Sequence, residues 1–143
     1  MLNVLLCVDG SKESNKAVKN FVQMAAALRE TPQVHLLTVH RPVPSIGGMS
    51  RAIGKGSLHK YYKEETDATL KSAQALLRKS KLDCVVHAEV GDIAATIVRL
   101  AAKQHCDMIY MGTRGMGAVS GLVMGSTATK VLHLASVPVV LVH

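Results

Sequence analysis

The apolar residues of this chain fall into two kinds of segment that alternate along its length. Short runs that are apolar at nearly every position predict strands buried on both faces. Between them, apolar residues recur every three or four positions, which predicts helices with one buried face. The predicted strands are residues 2–8 (LNVLLCV), 34–39 (VHLLTV), 83–89 (DCVVHAE), 108–111 (MIYM) and 137–142 (VPVVLV).

This alternation predicts an α/β fold, a doubly wound five-stranded parallel sheet with helices on both faces. The chain is expected to form one domain over residues 1–143. In such folds, ligands bind beyond the carboxyl ends of the strands, where the direction of winding reverses. Asp9, Val39 and Gly112 stand at those ends, so the predicted fold itself points to a pocket.

The pattern breaks between the second and third predicted strands. Residues 40–57 contain two prolines, four glycines and three basic residues, which predicts a long basic loop. Leu70, Ala73 and Leu77 then recur at helical spacing within a charged segment. We expect the loop to influence ligand choice.

Composition narrows the classes of function. Hydrophobic residues make up 48% of the chain but aromatic residues only 3%, and the net charge is +7. The 17 Lys and Arg are scattered and aromatic side chains for base stacking are scarce, so a surface that attracts anionic ligands is favoured over nucleic-acid binding. No apolar run reaches the ~18 residues of a membrane span, and the start lacks a basic signal region. We therefore expect a cytoplasmic protein.

The stretch MGTRGMGAVSGLVMGSTATKVL, residues 111–132, contains five glycines and runs into a predicted helix. Glycines let backbone N–H groups approach a ligand closely, and a helix N-terminus favours anions. Ser126 is predicted to cap that helix, and Arg114 adds a cation that could reach phosphate oxygens. A Walker A loop is excluded because Ala118 and Val119 stand where its Lys and Ser or Thr are needed. The alternative is a plain surface loop with a capping serine.

The chain resembles the universal stress proteins over nearly its whole length. Gly112, Gly115, Gly125 and Ser126 match the G-x2-G-x9-G-[ST] pattern of the family's ATP-binding members without a gap. The early VDGS, the GDIAATIVRLA segment, MGTRG and the terminal VPVVLV match in the family's order. The weakest stretch is residues 40–80, where the family itself varies.

This resemblance implies a pocket for ATP or a related adenine nucleotide, with Mg²⁺ as an open question. Asp9 would lie beside the nucleoside and Val39 beside adenine, with Cys7 and Val8 nearby. The family often has proline where Cys7 stands, and a core role for this thiol remains the simpler interpretation. Residues at the end of the fourth strand and at the following helix would hold ribose and phosphates. They are Met111, Gly112, Arg114, Gly115, Gly125, Ser126 and Thr127.

Catalytic residues are not evident, because no lysine lies within the glycine stretch to polarise a phosphate. We expect a nucleotide-binding module that acts as a stress-response sensor or regulator. The alternatives are a slow nucleotide-hydrolysing enzyme with a metal ion on Asp9, a cyclic-AMP-binding protein, and a scaffold that binds no nucleotide. The apolar last strand, with Pro138 in it, is expected at a sheet edge, where a homodimer would form through residues 137–142. Family members that resemble this chain pair in the same way.

Overall fold

A computed structural model of the chain describes residues 1–43, 49–114 and 124–143, with only the backbone described for residues 49–55. Five strands form one parallel sheet in the order β3-β2-β1-β4-β5, and helices separate the strands along the chain. This confirms the predicted doubly wound fold. In chain order the elements are β1 (Asn3–Cys7), α1 (Lys12–Ala26), β2 (Gln33–His40), α2 (Met49–Lys79), β3 (Cys84–Val90), α3 (Ile93–Lys103), β4 (Met108–Gly112), α4 (Ser126–Leu134) and β5 (Val139–Val142).

The core consists of two layers on opposite faces of β1, which is the central strand. Val4, Leu6 and Val8 pack towards α1 and α2, whereas Leu5 and Cys7 pack towards α3 and α4. Successive strand residues point to opposite faces, so a strand covered on both sides must be apolar throughout. This is why the first apolar run predicted β1 to within one residue at either end.

The predicted loop over residues 40–57 is wrong for its second half, because α2 already begins at Met49. Pro42 lies before the helix, and residues 44–48, which include the second proline, lie outside the described residues. Proline is incompatible with a helix interior, whereas a glycine such as Gly54 or Gly56 costs about 1 kcal/mol there. A 31-residue helix that is anchored at its far end by Leu70, Ala73 and Leu77 tolerates that cost.

Strand β3 is less buried than its apolar sequence predicted. It forms one edge of the sheet, and the side chains of Val85 and Val86 are 45% and 40% exposed on its two faces. Helix α3, which follows β3 in the chain, packs against β2 instead. The expected edge position of the last strand is confirmed, since β5 ends the sheet on the other side.

Two histidines join β3 to its neighbour. Nδ1 of His35 lies 3.0 Å from Nε2 of His87, and the two rings stack with their centroids 5.2 Å apart. Burial lowers the pKa of His35, and the neighbouring His87 lowers it further. Burial also lowers the pKa of His87, where Glu89 opposes the shift and Lys103 adds to it. Protonation at low pH therefore adds positive charge to two imidazole rings that the folded protein keeps neutral.

The start of α1 lies very close to the end of β4. A Cβ atom built on Gly112 would lie 3.2 Å from the carbonyl carbon and oxygen of Glu13 and from the carbonyl oxygen of Arg114. All three are backbone atoms, which cannot swing aside as a flexible side chain does. Glycine at this position therefore sets how closely the helix and the strand can pack.

Acidification should destabilise the protein through the His35–His87 pair. Because both folded-state pKa values lie below the usual 6.5, the unfolded chain binds more protons, and stability is lost progressively as the pH falls below 6.5. The midpoint of urea unfolding should be lower at pH 5.5 than at pH 7.5. In the double variant His35→Leu/His87→Leu, the midpoint should decrease less between pH 7.5 and pH 5.5. In His59→Gln, which replaces an exposed histidine, the decrease should be the same as in the unaltered protein. An equal decrease in the double variant would contradict the assignment.

Gly112→Ala should lower the free energy of unfolding by about 1–3 kcal/mol, because the added methyl group overpacks against fixed backbone. Gly56→Ala is the matched control. A Cβ at this exposed helix position meets nothing within 4 Å, so alanine should stabilise by about 0.5–1 kcal/mol. Urea denaturation of both variants measures the two effects. Equal stabilisation by both substitutions would show that the close approach carries no cost.

Candidate functional site

The winding of the sheet reverses between β1 and β4. The two strands are neighbours, with Leu6 opposite Tyr110 in the register. Beyond β1 the chain turns into α1 on one face of the sheet, and beyond β4 it continues to α4 on the other. A crevice therefore opens between the carboxyl ends of these two strands, where doubly wound proteins bind their ligands.

A tight turn after β1 holds Asp9 at this crevice. The N–H group of Ser11 donates to Oδ1 of Asp9 at 2.9 Å, and the N–H group of Asp9 donates to Oγ of Ser14 at 3.4 Å. Gly10 between them has φ of +82°, a conformation that favours glycine. Ser11 then caps α1 by accepting from the N–H group of Ser14 at 3.1 Å. The Asx-turn is present, and it positions a carboxylate at the end of β1.

Three of the sequence-predicted residues come together on the face of the sheet that carries α3 and α4. Cys7 and Met111 are buried there, and the half-buried Val39 packs against the same cluster. Val8, on the opposite face, extends the β1–β2 pairing through its N–H group, which donates to the Leu37 carbonyl at 2.9 Å. Three strands thus contribute apolar side chains to one cluster beside the carboxyl ends of β1 and β4.

The Cys7 thiol contributes to this buried cluster as a neutral group. Its side chain is 8% exposed, and burial raises its pKa, with a smaller contribution from Cys106. A thiol is a nucleophile or a metal ligand only as a thiolate. The structure therefore supports packing as the role of Cys7.

The two ends of the glycine stretch meet at the end of β4. The N–H group of Gly125 donates to the carbonyl of Thr113 at 2.6 Å, and the N–H group of Thr113 donates to the carbonyl of Val142 at 3.0 Å. This joins the beginning of α4 to β4 and, through it, to β5. Gly115 falls within residues 115–123, which lie outside the described residues.

The N-cap of α4 is Gly125, so the predicted capping role of Ser126 is wrong. Gly125 is extended and has no side chain to bond the first turn, while Ser126 is already the first helical residue. The Gly125 carbonyl accepts the hydrogen bond of the Thr129 N–H group at 3.1 Å, so the helical pairing begins at Gly125. The first N–H groups of a helix have no acceptor within it, and a helix end of this kind favours anions. Ser126 is exposed and Thr127 half-buried at this end of the helix.

Arg114 lies between α4 and α1. Its Nη2 is 3.9 Å from Oε1 of Glu13, and its buried Nε has no hydrogen-bond partner within the described part of the chain. Sequence analysis singled out Arg114 but missed Glu13. The two residues are far apart in the chain, and no motif connects them.

A separate groove of about 480 Å³ lies under α2, beside the ends of β2 and β3. His40 lines it, with its Nε2 2.9 Å from Oγ1 of Thr66. Neighbouring strand residues face opposite ways, so His40 lies on the other face of the sheet from Val39. His40 is therefore a half-buried, hydrogen-bonded side chain on the α2 side, and its ring does not join the cluster at the crevice.

The three described ranges contain neither a cluster of metal-ligating side chains nor a membrane-spanning helix. No group of three or more His, Cys, Asp or Glu side chains is placed there to hold a metal ion. Among the described helices, none combines the length and the apolar character needed to cross a membrane.

Comparisons with known proteins agree with the fold. The model of the universal stress protein family matches residues 1–143. A universal stress protein of Thermus aquaticus is 33% identical, and the match covers 98% of this chain and 97% of that protein. One from Mycolicibacterium smegmatis is 28% identical over 98% of this chain, which spans only 47% of that longer relative.

Solved structures show the same architecture. The universal stress protein UspA from Lactobacillus plantarum superposes with a TM-score of 0.80 at 23% identity, covering 99% of this chain and 97% of that one. A universal stress protein in complex with cAMP gives 0.71 at 24% identity, with 99% and 97% covered. The Archaeoglobus fulgidus protein in complex with dAMP gives 0.66 at 21% identity, with 100% and 98% covered. With the family model matching its whole length, this chain belongs to the universal stress protein family.

Proposed function

We propose that the crevice between β1 and β4 binds ATP or a related adenine nucleotide. The observation that carries the proposal is the Gly125–Thr113 hydrogen bond, which places the N-terminus of α4 at the end of β4. That helix end, a position that favours anions, would then lie beside the apolar side chains of Cys7, Val39 and Met111 and the carboxylate of Asp9. The structures of relatives with cAMP and dAMP support a nucleotide as the ligand.

The nucleoside would lie on the strand ends. Val39, Met111 and Cys7 offer apolar contacts for adenine, and main-chain groups after β2 can hydrogen-bond its edge. Asp9 can accept hydrogen bonds from ribose hydroxyl groups, since an ionised carboxylate is an acceptor only. Val8 would contribute its backbone beside the ribose.

The phosphates would lie at the start of α4. The backbone N–H groups of Ser126 and Thr127 and the Ser126 hydroxyl can donate to phosphate oxygens, and the absent side chains of Gly112 and Gly125 leave room for close approach. Arg114 supplies the cation. Gly115 belongs to this group by its position in the motif. Mg²⁺ would be held mainly by the phosphates, as is usual for this ion.

These residues support binding more than catalysis. Lys130 lies a turn into α4. The glycine stretch before that helix, residues 111–125, contains no lysine that could stabilise phosphoryl transfer. We therefore propose a cytoplasmic regulator whose state depends on bound nucleotide, with slow hydrolysis through a metal ion on Asp9 as the alternative. Steady turnover that is abolished by Asp9→Asn would favour that alternative.

The proposal extends to a homodimer through β5. The carbonyls of Pro138 and Val142 accept hydrogen bonds from β4, so by alternation the backbone groups of Val139 and Leu141 point away from the sheet. All four residues of β5 are half-buried, and an open apolar edge of this kind favours pairing with a second copy.

Calorimetric titration with ATP, AMP and cyclic AMP tests nucleotide binding, with Gly125→Val as the variant. Gly125 has φ of −78°, which any residue can adopt, so valine adds no backbone strain there. A Cβ there would lie 3.4 Å from the Thr113 carbonyl oxygen, and the two methyl groups beyond it should obstruct the phosphates. ATP affinity should fall about tenfold or more, that is by at least ~1.4 kcal/mol.

Gly56→Ala, on α2, is the control and should bind ATP as the unaltered protein does. Stronger binding of cyclic AMP than of ATP would keep the site but change the ligand. Absence of binding by all three nucleotides would contradict the proposal and favour a scaffold.

Sedimentation over a dilution series tests the dimer. Leu141→Pro removes an outward-pointing N–H group from β5 and should shift the protein to monomer at concentrations where the unaltered chain is dimeric. Val85→Glu places a charge on the opposite sheet edge and should leave the dimer intact. Dissociation by Val85→Glu but not by Leu141→Pro would locate the interface on β3 instead.

A further inference from the structure

Glu13 and Arg114 form a loose ion pair at the rim of the crevice. Their side chains are 27% and 26% exposed, and Nη2 of Arg114 lies 3.9 Å from Oε1 of Glu13, farther than in a charge-assisted hydrogen bond. The Arg114 Nε is buried without a hydrogen-bond partner in the described ranges. Glu13 therefore neutralises the guanidinium but leaves part of its donor set unused.

The backbone holds both residues in place. The carbonyl of Glu13 lies 3.2 Å from the position of a Cβ on Gly112, so the first turn of α1 is pressed against the end of β4. The Cα of Arg114 lies 3.5 Å from the position of a Cβ on Gly125, the N-cap of α4. A carboxylate from α1 and the N-terminus of α4 thus flank one arginine.

A phosphate group suits this arginine better than a carboxylate at 3.9 Å does. Guanidinium presents five donors in a planar fork, and a phosphate can accept two of them in parallel. An unsatisfied buried donor also costs free energy that a close acceptor would recover. Glu13, with the same sign of charge as the phosphates, opposes their approach to Arg114.

We propose that Glu13 is an internal competitor for Arg114, which the nucleotide phosphates must displace, and that it thereby makes binding depend on phosphate charge. This inference rests on the proposed nucleotide site and deepens it. Highly charged phosphate chains compete well against one carboxylate, a single phosphate competes less well, and a nucleoside does not compete at all. Glu13 is then a specificity residue, although no motif includes it.

The test is calorimetric titration of Glu13→Gln with ATP, AMP and adenosine. Glutamine keeps the shape of the side chain but removes the charge that competes for Arg114. ATP should bind about two- to fivefold more tightly, within the range expected when a partly exposed ion pair is released. Adenosine affinity should not change, and the ATP gain should shrink at high salt because these charges are partly exposed.

Glu30→Gln is the matched control. Glu30 pairs with the N-terminal amine at 3.6 Å at the opposite end of the strands, so the same change of charge there should leave ATP affinity unaltered. An equal gain in both variants would overturn the proposal, because the effect would then come from net charge alone.

Combining Glu13→Gln with Arg114→Gln tests whether Glu13 acts through the arginine. The gain in ATP affinity should disappear in the Arg114→Gln background, and a full gain there would overturn the proposal. If the unaltered protein binds ATP and Glu13→Gln binds it equally, the inference fails while the nucleotide site stands. If neither protein binds any phosphorylated nucleotide, the proposed function fails, and this inference with it.

Discussion

The parallel pairing of β1 with both β2 and β4 is the constraint on which the rest of the structure depends. A parallel neighbour requires a crossover, and the crossovers on the two sides of β1 run over opposite faces of the sheet. Only at the carboxyl ends of β1 and β4 do the two connections move apart. The position of the crevice therefore follows from the topology alone, before any side chain within it is considered.

Close backbone contacts then shape this crevice. Gly112 lets the first turn of α1 approach β4, and Gly125 bonds to Thr113 so that α4 begins where β4 ends. These contacts bring Glu13, Arg114 and the N-terminus of α4 within reach of one another. The glycines of the motif thus serve packing as well as any ligand, because the same missing side chains allow both.

The predicted fold agreed with the structure because it depended on burial. A strand that is covered on both faces needs a mostly apolar run, and β1, β2 and β4 have one. β3 has one too, yet it is an edge strand with two exposed valines, because a sequence does not show which strand lacks a neighbour. Likewise, glycines in residues 40–57 suggested a loop, although only proline forbids a helix.

The chain by itself determined the alternation of strands and helices, the strand-end positions of Asp9, Val39 and Gly112, and the motif that identifies the family. These are local patterns or fixed spacings, so they can be recognised without knowledge of the tertiary contacts. Tertiary structure decided that Gly125 rather than Ser126 caps α4, that His35 faces His87, and that Glu13 opposes Arg114. Each depends on a contact between residues far apart in the chain, and such contacts exist only once the sheet has brought its strands together.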